Sequence, residues 1–452
     1  MGLKNIEKYS VSYAVFKYWV KFWHDKVFYR KVEYVNREKV PLNEHLIITA
    51  NHQNALMDAL AIEFAFYNQP VFVARSDIFS NKFIAAVLYW LKILPVYRIR
   101  DGYDSLKKNR MVFEKTVDII LNKNSFVIMP EGNHAGYRRL RQLKKGFARI
   151  AFQTEEAKDF SLKIKIIPVG IDYECYTDYR STLLVNFGEP LEVSDYYEQY
   201  KENPVIAYNK IRSELAGKIK PLMINIESEN YYELYDELRK MYRQLGIKKL
   251  NLDKGKLYDG FRVDKRLIAG IEHVEKDNPQ VVEKMSEKMS EFLGILQNEG
   301  FTYKEVAANN VTLWGILGKG AALVLFFPVF LFGFLINALQ YFIPVKVAGM
   351  IKDRQFHSSF KFVLTMLLFP LFYVIETGIF YFLTGDTVKS LLFFIFLPVS
   401  AVLSWQWYRL FRKFKREFRF FVFKTKGSKV FKSLLNLYDE LISFAGMCFD
   451  RV

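Results

Sequence analysis

The segment Asn51-His52-Gln53-Asn54-Ala55-Leu56-Met57-Asp58 sets an imidazole and a carboxylate six positions apart, directly after the apolar run Leu46-Ile47-Ile48-Thr49-Ala50. Histidine is scarce, six in 452 residues, so one at the end of a strand, where α/β folds assemble their sites, is informative. On an ideal helix, residues six apart are rotated by about 600° and share no face. The two side chains can therefore meet only if His52 lies in the turn and Asp58 reaches back from a new helix. In that geometry Asp58 fixes the imidazole tautomer, and His52 removes a proton from an attacking hydroxyl. A plainer reading has Asn51 and His52 capping the helix while Asp58 sits in solvent; taken alone, the motif favours it.

Three further stretches carry candidate chemistry. Val127-Ile128-Met129-Pro130-Glu131-Gly132-Asn133-His134 is a strand that ends by presenting a carboxylate, with Gly132 permitting close backbone approach to a ligand. Leu94-Pro95-Val96-Tyr97-Arg98-Ile99-Arg100 is a strand with two guanidiniums spaced by two, on one face. Such a pair suits bidentate phosphate recognition, although surface ion pairs are the commoner reason for one. Ile166-Ile167-Pro168-Val169-Gly170-Ile171 reads as a buried strand whose Pro and Gly shape a groove wall.

In this order and at these separations, the four stretches resemble the glycerolipid acyltransferase family of lysophosphatidate and glycerol-3-phosphate acyltransferases (PlsC-like domains). The resemblance covers about residues 30–195, and Val185-Asn186-Phe187-Gly188-Glu189-Pro190-Leu191 looks like the family's closing strand. It implies that His52 is the general base and Asp58 its orienting partner. Arg98 or Arg100, with Arg100 preferred, would hold the acceptor phosphate. Glu131 and Gly132 match the acceptor-binding element, with Asn51, Asn133, His134 and Arg138 beside it as further substrate-binding candidates. The acceptor hydroxyl would attack an acyl thioester directly, without an acyl-enzyme. Two departures stand out. Five residues, not the usual four, separate His52 from Asp58, a spacing similar to that of fungal glycerol-3-phosphate acyltransferases. Asn133-His134 also replaces the usual Thr-Arg, for which His134, Arg138, Arg139 or Arg141 could compensate; Arg138–Lys145 reads as a clamp for a phosphorylated group or as a solvated basic face.

The elements that must position these residues follow from pattern. Strand-like runs separated by helical stretches and bordered by Gly or Pro imply an α/β acyltransferase domain over 31–200 with a mixed, mainly parallel sheet. Residues 1–30 contain an amphipathic helix with Tyr13, Phe16, Trp19, Val20, Trp23 and Val27 at three- and four-residue intervals. It is read equally as a core-packing helix or as an anchor lying among lipid headgroups. Residues 201–310 are charged and helical, an insertion or lid without a recognisable motif.

Residues 311–410 are membrane-like. The run 320–345 has no charged side chain, Phe362–Leu383 has only Glu376 as an acid, and Leu391–Tyr408 has no charge. Basic residues Lys346, Lys352, Arg354 and Lys361 precede the second run, and Arg409–Arg419 follow the third. The positive-inside rule places both basic stretches in the cytosol and makes the second and third runs a hairpin. The first run then returns to its own side as a re-entrant or interfacial hairpin. Residues 411–452 read as basic amphipathic helices. These features predict an integral membrane protein with its catalytic domain on the cytoplasmic side.

A formal net charge of +17 suits anionic partners: acidic lipid headgroups, phosphorylated metabolites or an acidic carrier protein. No nucleic-acid motif is present, and nucleic acid is not an expected partner. Two cysteines, Cys175 and Cys448, are too few for a disulfide framework, and no His or Cys spacing suggests a metal. No cofactor is expected beyond acyl-CoA or acyl carrier protein as co-substrate. The expected partners are a phospholipid membrane, that thioester donor, and a glycerophosphate or lysophospholipid acceptor. Lysophosphatidic acid is the preferred acceptor and glycerol 3-phosphate the alternative. A non-catalytic membrane-anchored lipid-binding scaffold and a transporter built on the apolar runs are the rivals from other classes.

Overall fold

A computed structural model describes residues 5–97, 104–133 and 136–452. The candidate residues Arg98, Arg100 and His134 lie outside these. The strands are β1 (Lys31–Val35), β2 (Leu46–Ala50), β3 (Val71–Arg75), β4 (Ile93–Val96), β5 (Phe126–Ile128), β6 (Lys165–Tyr173), β7 (Thr182–Phe187) and β8 (Leu191–Glu192). The helices of the first half are α1 (Val11–Phe22), α2 (Leu56–Glu63), α3 (Lys82–Trp90), α4 (Asp104–Leu121), α5 (Gly146–Glu156), α6 (Tyr197–Glu202) and α7 (Pro204–Ile219). Those of the second half are α8 (Tyr232–Lys249), α9 (Leu257–Asp277), α10 (Pro279–Glu299), α11 (Tyr303–Ala308), α12 (Leu313–Leu325), α13 (Phe327–Gly349), α14 (His357–Thr384), α15 (Thr387–Thr425) and α16 (Lys429–Phe449).

The chain divides into two compact units. One comprises Met1–Asn225 together with Ala348–Phe362, and the other Ile226–Val347 with Val363–Val452. The first unit is built on one sheet in the order β1-β7-β6-β2-β5-β3-β4, with β8 beside β6. Its pairings are parallel except where β6 meets β7 and β8. The apolar run of β2 is buried at every position, as a strand covered on both faces must be. Helices α5 and α7 contribute Phe147, Ala148, Ala151, Phe152, Ala207, Ile211, Leu215 and Ile219 to the core. Thus α7, which starts past residue 200, belongs to the core of the α/β unit. Asn203 starts α7 by accepting the Val205 and Ile206 N–H groups, with Pro204 at the first helical position. Gly170 in β6 marks a close approach, since a Cβ there would lie 2.0 Å from the Leu222 carbonyl oxygen.

Helix α1 packs on the core by one face and leaves apolar side chains exposed on the other. Tyr13, Lys17 and Val20 are buried, while Val11, Val15, Tyr18 and Phe22 are exposed apolar side chains. The helix continues as a π-helical turn over Trp23–Phe28. Lys17 is a buried cation with full compensation: its Nζ donates to the Phe66 and Asn68 carbonyls at 2.9 and 2.6 Å and pairs with Glu63 Oε1 at 2.8 Å.

In the second unit α8, α9, α10 and α16 pack together. Arg239 of α8 is buried there between Asp236 and Asp264. Among the described residues, three helical segments are long and apolar enough to cross a membrane: Phe327–Gly349, Arg354–Thr384 and Thr387–Thr425. The apolar run 320–345 is split between α12 and α13 at Phe326. Glu376 receives Gln340 Nε2 at 2.8 Å, and Asn337 receives the Tyr373 hydroxyl at 2.9 Å and donates to Ser400 at 3.1 Å, so these apolar helices share polar contacts. The basic stretch after residue 408 is no separate helix: α15 runs unbroken for 39 residues, about 58 Å at the usual rise. Cys175 and Cys448 are both free thiols.

Candidate active site

His52 lies in the turn between β2 and α2, and Asp58 stands on the first turn of α2. His52 Nδ1 and Asp58 Oδ2 are 2.9 Å apart. The same oxygen accepts the backbone N–H groups of Gln53 and Asn54, at 2.8 and 2.7 Å. Asp58 is fully buried, which overturns the reading in which it is solvated. A buried carboxylate that already accepts two amide hydrogens acts as acceptor toward the ring as well, so Nδ1 carries the proton and Nε2 keeps its lone pair. The side chain of His52 remains 19% exposed. The five-residue turn needs an unusual backbone at Ala55, φ 44° and ψ −122°. Such a conformation costs on the order of 1–3 kcal/mol and persists only where neighbours over-determine it.

The other carboxylate oxygen of Asp58 accepts the Tyr173 hydroxyl at 2.8 Å. Tyr173 ends β6, the parallel neighbour of β2, and is buried. Burial, with the negative charge of Asp58 next to it, holds its hydroxyl pKa far above the ordinary value, so it stays a donor. The ring of Tyr29 packs on it at 6.0 Å.

Glu131 follows β5 and is also buried. Its Oε1 accepts the backbone N–H of His52 at 2.8 Å, and its Oε2 accepts Arg141 Nε at 2.9 Å. Burial raises the Glu131 pKa, against the lowering effect of these donors. Arg141 also donates to Asn133 Oδ1 at 2.5 Å and reaches the His52 carbonyl at 3.5 Å. Glu131 therefore joins the two halves of the site through the chain's own groups. Gly132 turns the chain after it at φ +71°, in the left-handed region that disfavours a side chain.

Asn51 is clamped to β6, accepting the Ile171 N–H at 2.7 Å and donating to the Ile171 carbonyl at 3.0 Å. Arg138 is 4% exposed, paired with Asp172 and donating to the Tyr173 and Glu174 carbonyls at 2.6 and 3.2 Å. Its guanidinium also lies over the Tyr176 ring, 5.0 Å from the centroid. Among the described residues no group of three or more His, Cys, Asp or Glu side chains could hold a metal.

A turn-borne imidazole oriented by a buried carboxylate is an arrangement for general-base catalysis, and the sequence comparison gives it a family. Residues 31–172 match the acyltransferase family model. The chain carries an acyltransferase-family domain. That domain contains His52, Asp58, Glu131 and Arg141. Among curated proteins, glycerol-3-phosphate O-acyltransferase 2 of Saccharomyces cerevisiae is 24% identical over 175 residues, 38% of this chain and 22% of the yeast protein. Glycerol-3-phosphate O-acyltransferase 1 of the same yeast is 24% identical over 182 residues, 40% of this chain and 23% of that protein. The match thus spans less than a quarter of either relative. Among solved structures, the 1-acyl-sn-glycerophosphate (LPA) acyltransferase PlsC from Thermotoga maritima is 19% identical, covering 47% of this chain and 79% of that one, with a TM-score of 0.30.

Within the acyltransferase domain the structure brings His52, Asp58, Glu131, Gly132, Asn133 and Arg141 to one end of the sheet, with Asn51 beneath them. Both polar ends of Asn51 are occupied by β6, and Arg138 is embedded in an ion pair rather than spread in a basic clamp. Two residues were missed from the sequence, Tyr173 and Tyr176. Their only signal is position. In β6, Val169 is level with Ala50, the residue before Asn51, so Tyr173 emerges beside the His52 turn.

Proposed function

We propose that this protein is a membrane-bound O-acyltransferase that moves a fatty acyl group from an acyl thioester to the hydroxyl of a glycerophosphate in phospholipid biosynthesis. The observation that carries this is the 2.9 Å contact between His52 Nδ1 and the buried carboxylate of Asp58 inside a domain of this family. His52 Nε2 takes the proton of the attacking hydroxyl as its oxygen bonds to the thioester carbonyl. The C–S bond then breaks, and the imidazolium returns that proton to the leaving thiolate. Base assistance of this kind is worth about 10²–10⁴-fold. Arg141, seated on Glu131 and partly exposed beside His52, supplies a guanidinium for the acceptor's phosphate, taking the compensating role that the sequence left open among His134, Arg138, Arg139 and Arg141.

The acceptor is read as lysophosphatidic acid, since the apolar helices suit a lipid substrate already in a membrane. Glycerol 3-phosphate is a second reading, favoured by the five-residue His52–Asp58 spacing and by the two yeast glycerol-3-phosphate acyltransferases among the similar proteins. The catalytic domain is assigned to the cytoplasmic side, from the basic stretches that flank the second and third apolar segments.

The test is acyl transfer by membranes containing the wild type or His52→Ala, with labelled glycerol 3-phosphate and lysophosphatidic acid offered separately alongside an acyl thioester. Product from one acceptor, lost in the variant, establishes the enzyme and selects the acceptor. Product that survives the substitution removes His52 as the base.

A further inference from the structure

The His52–Asp58 turn has an inner and an outer side. On the inner side Asp58 gathers the ring of His52 and the amides of Gln53 and Asn54. On the outer side the side chains of Gln53 and Asn54 meet one residue, Tyr176. Its hydroxyl donates to Gln53 Oε1, and its carbonyl accepts Asn54 Nδ2 at 3.2 Å. Tyr176 lies past residue 172, beyond the matched acyltransferase segment.

Tyr176 is held in turn by the segment Ala348–Phe362, which connects α13 to α14 and is part of the same compact unit. Ser358, on the first turn of α14, donates its hydroxyl to the Tyr176 carbonyl. Lys361 Nζ donates to the Thr177 carbonyl at 2.8 Å and lies 5.7 Å from the centroid of the Tyr179 ring. Phe362 packs edge-on against Phe28 at 5.5 Å and His24 at 5.9 Å, and Phe28 packs against Tyr179 at 5.2 Å. Residues 358, 361 and 362 are spaced i, i+3, i+4, so a single face of one helical turn makes all of these contacts.

We propose that the segment between the first two apolar spans completes the catalytic unit: Ser358 and Lys361 are positioning residues that set His52 through Tyr176. This rests on the reading of His52 as the general base. A single residue, Gln53, separates His52 from Asn54, and Ala55 holds a backbone conformation that needs support from its neighbours. Releasing Tyr176 therefore lets the turn relax and carries Nε2 off the line of the attacking hydroxyl. Misplacement by about 1 Å costs on the order of 10²-fold in rate.

The test uses the full chain in its membrane. Wild type, the double variant Ser358→Ala/Lys361→Met, the rescue variant Lys361→Arg and the control Met350→Gln, at an exposed position of the same segment, are compared for kcat, KM and unfolding midpoint. The double variant is expected to lose kcat by about 10- to 100-fold with the thioester KM unchanged, while Lys361→Arg and Met350→Gln stay within about threefold of wild type. A readout independent of substrate is amide hydrogen exchange of peptides covering residues 52–58, expected to quicken about tenfold in the double variant alone. Unchanged kcat with unchanged exchange overturns the proposal, as does a loss of activity that only follows the amount of folded protein. Activity that survives His52→Ala overturns the general-base reading instead, so the two failures are told apart.

Discussion

The hydroxyl of Tyr173 donates to Asp58 Oδ1 at 2.8 Å, on the side of the carboxylate opposite the oxygen that faces His52. The carboxylate is thereby shared between an imidazole and a phenol whose burial keeps it protonated. That donation satisfies the carboxylate oxygen that His52 does not face.

Tyr173→Phe should lower stability by about 1–3 kcal/mol, the usual result of leaving a buried acceptor short of a donor. Denaturant unfolding of the wild type and the variant checks it, and an unchanged midpoint would show that the phenol contributes nothing to holding Asp58.

Asp58→Asn is the sharper test of the tautomer. An amide that turns its N–H toward Nδ1 drives the ring proton to Nε2, the atom that must accept the acceptor's hydrogen. A drop in kcat of about 10²–10⁴-fold is expected, with KM little changed. Steady-state kinetics in both substrates decides it, and a variant within threefold of wild type would exclude the orienting role.

Arg138→Met should act on folding rather than on acceptor affinity. Its removal strands the Asp172 carboxylate, 14% exposed, and the carbonyls of Tyr173 and Glu174. Breaking a buried pair on one side costs about 3–5 kcal/mol. Arg141→Met also strands a buried carboxylate, that of Glu131, but is expected in addition to raise acceptor KM more than about tenfold, so unfolding midpoints and acceptor KM measured together distinguish the two variants.

Glu63, buried on α2 beside Lys17, has its carboxyl pushed up to about 7 by burial, the pull of Lys17 notwithstanding. The fold thus favours its protonated form. This contribution to stability is fully present below the ordinary carboxyl pKa, near 4.5, and is lost as pH rises through about 7. Thermal unfolding of the wild type and Glu63→Gln across pH 4.5 to 7 should show the variant's relative midpoint climbing over that window. Parallel curves would place the titration elsewhere.

The sequence carried the centre of the site further than its margins. His52 and Asp58 were legible through the order of four stretches that resembles a known family, since their spacing alone left the plainer reading of a helix cap with a solvated acid, and β2 announces itself as a wholly apolar run. Glu131 and Gly132 were placed at a strand end for the same local reason, although the engagement of Glu131 with the His52 amide depends on β5 lying beside β2. Tyr173 and Tyr176 could not be found that way. Their approach to Asp58 and Gln53 is fixed by the pairing of β6 with β2, across more than a hundred residues of chain. Arg138 and Arg141 look alike in a basic run, and only burial separates an ion pair with Asp172 from a guanidinium at the rim. The attachment of residues 348–362 to the first unit left no local trace, because hydropathy marks where apolar helices begin and says nothing of what their first turns touch.

The first unit is also interrupted in the order of synthesis. Its last piece, Ala348–Phe362, follows Asn225 only after Ile226–Val347 has been made. At ordinary elongation rates of about 5–20 residues per second, that interval lasts roughly 6–25 s. Throughout it the nascent α/β unit carries its His52 turn without Ser358 or Lys361, and α13, the first helix long enough to span a membrane, is translated before they are. The order of translation thereby places the contacts of Ser358 and Lys361 with the Tyr176 segment after the making of the first long apolar helix, so that a chain stalled before α13 has its His52 turn without them.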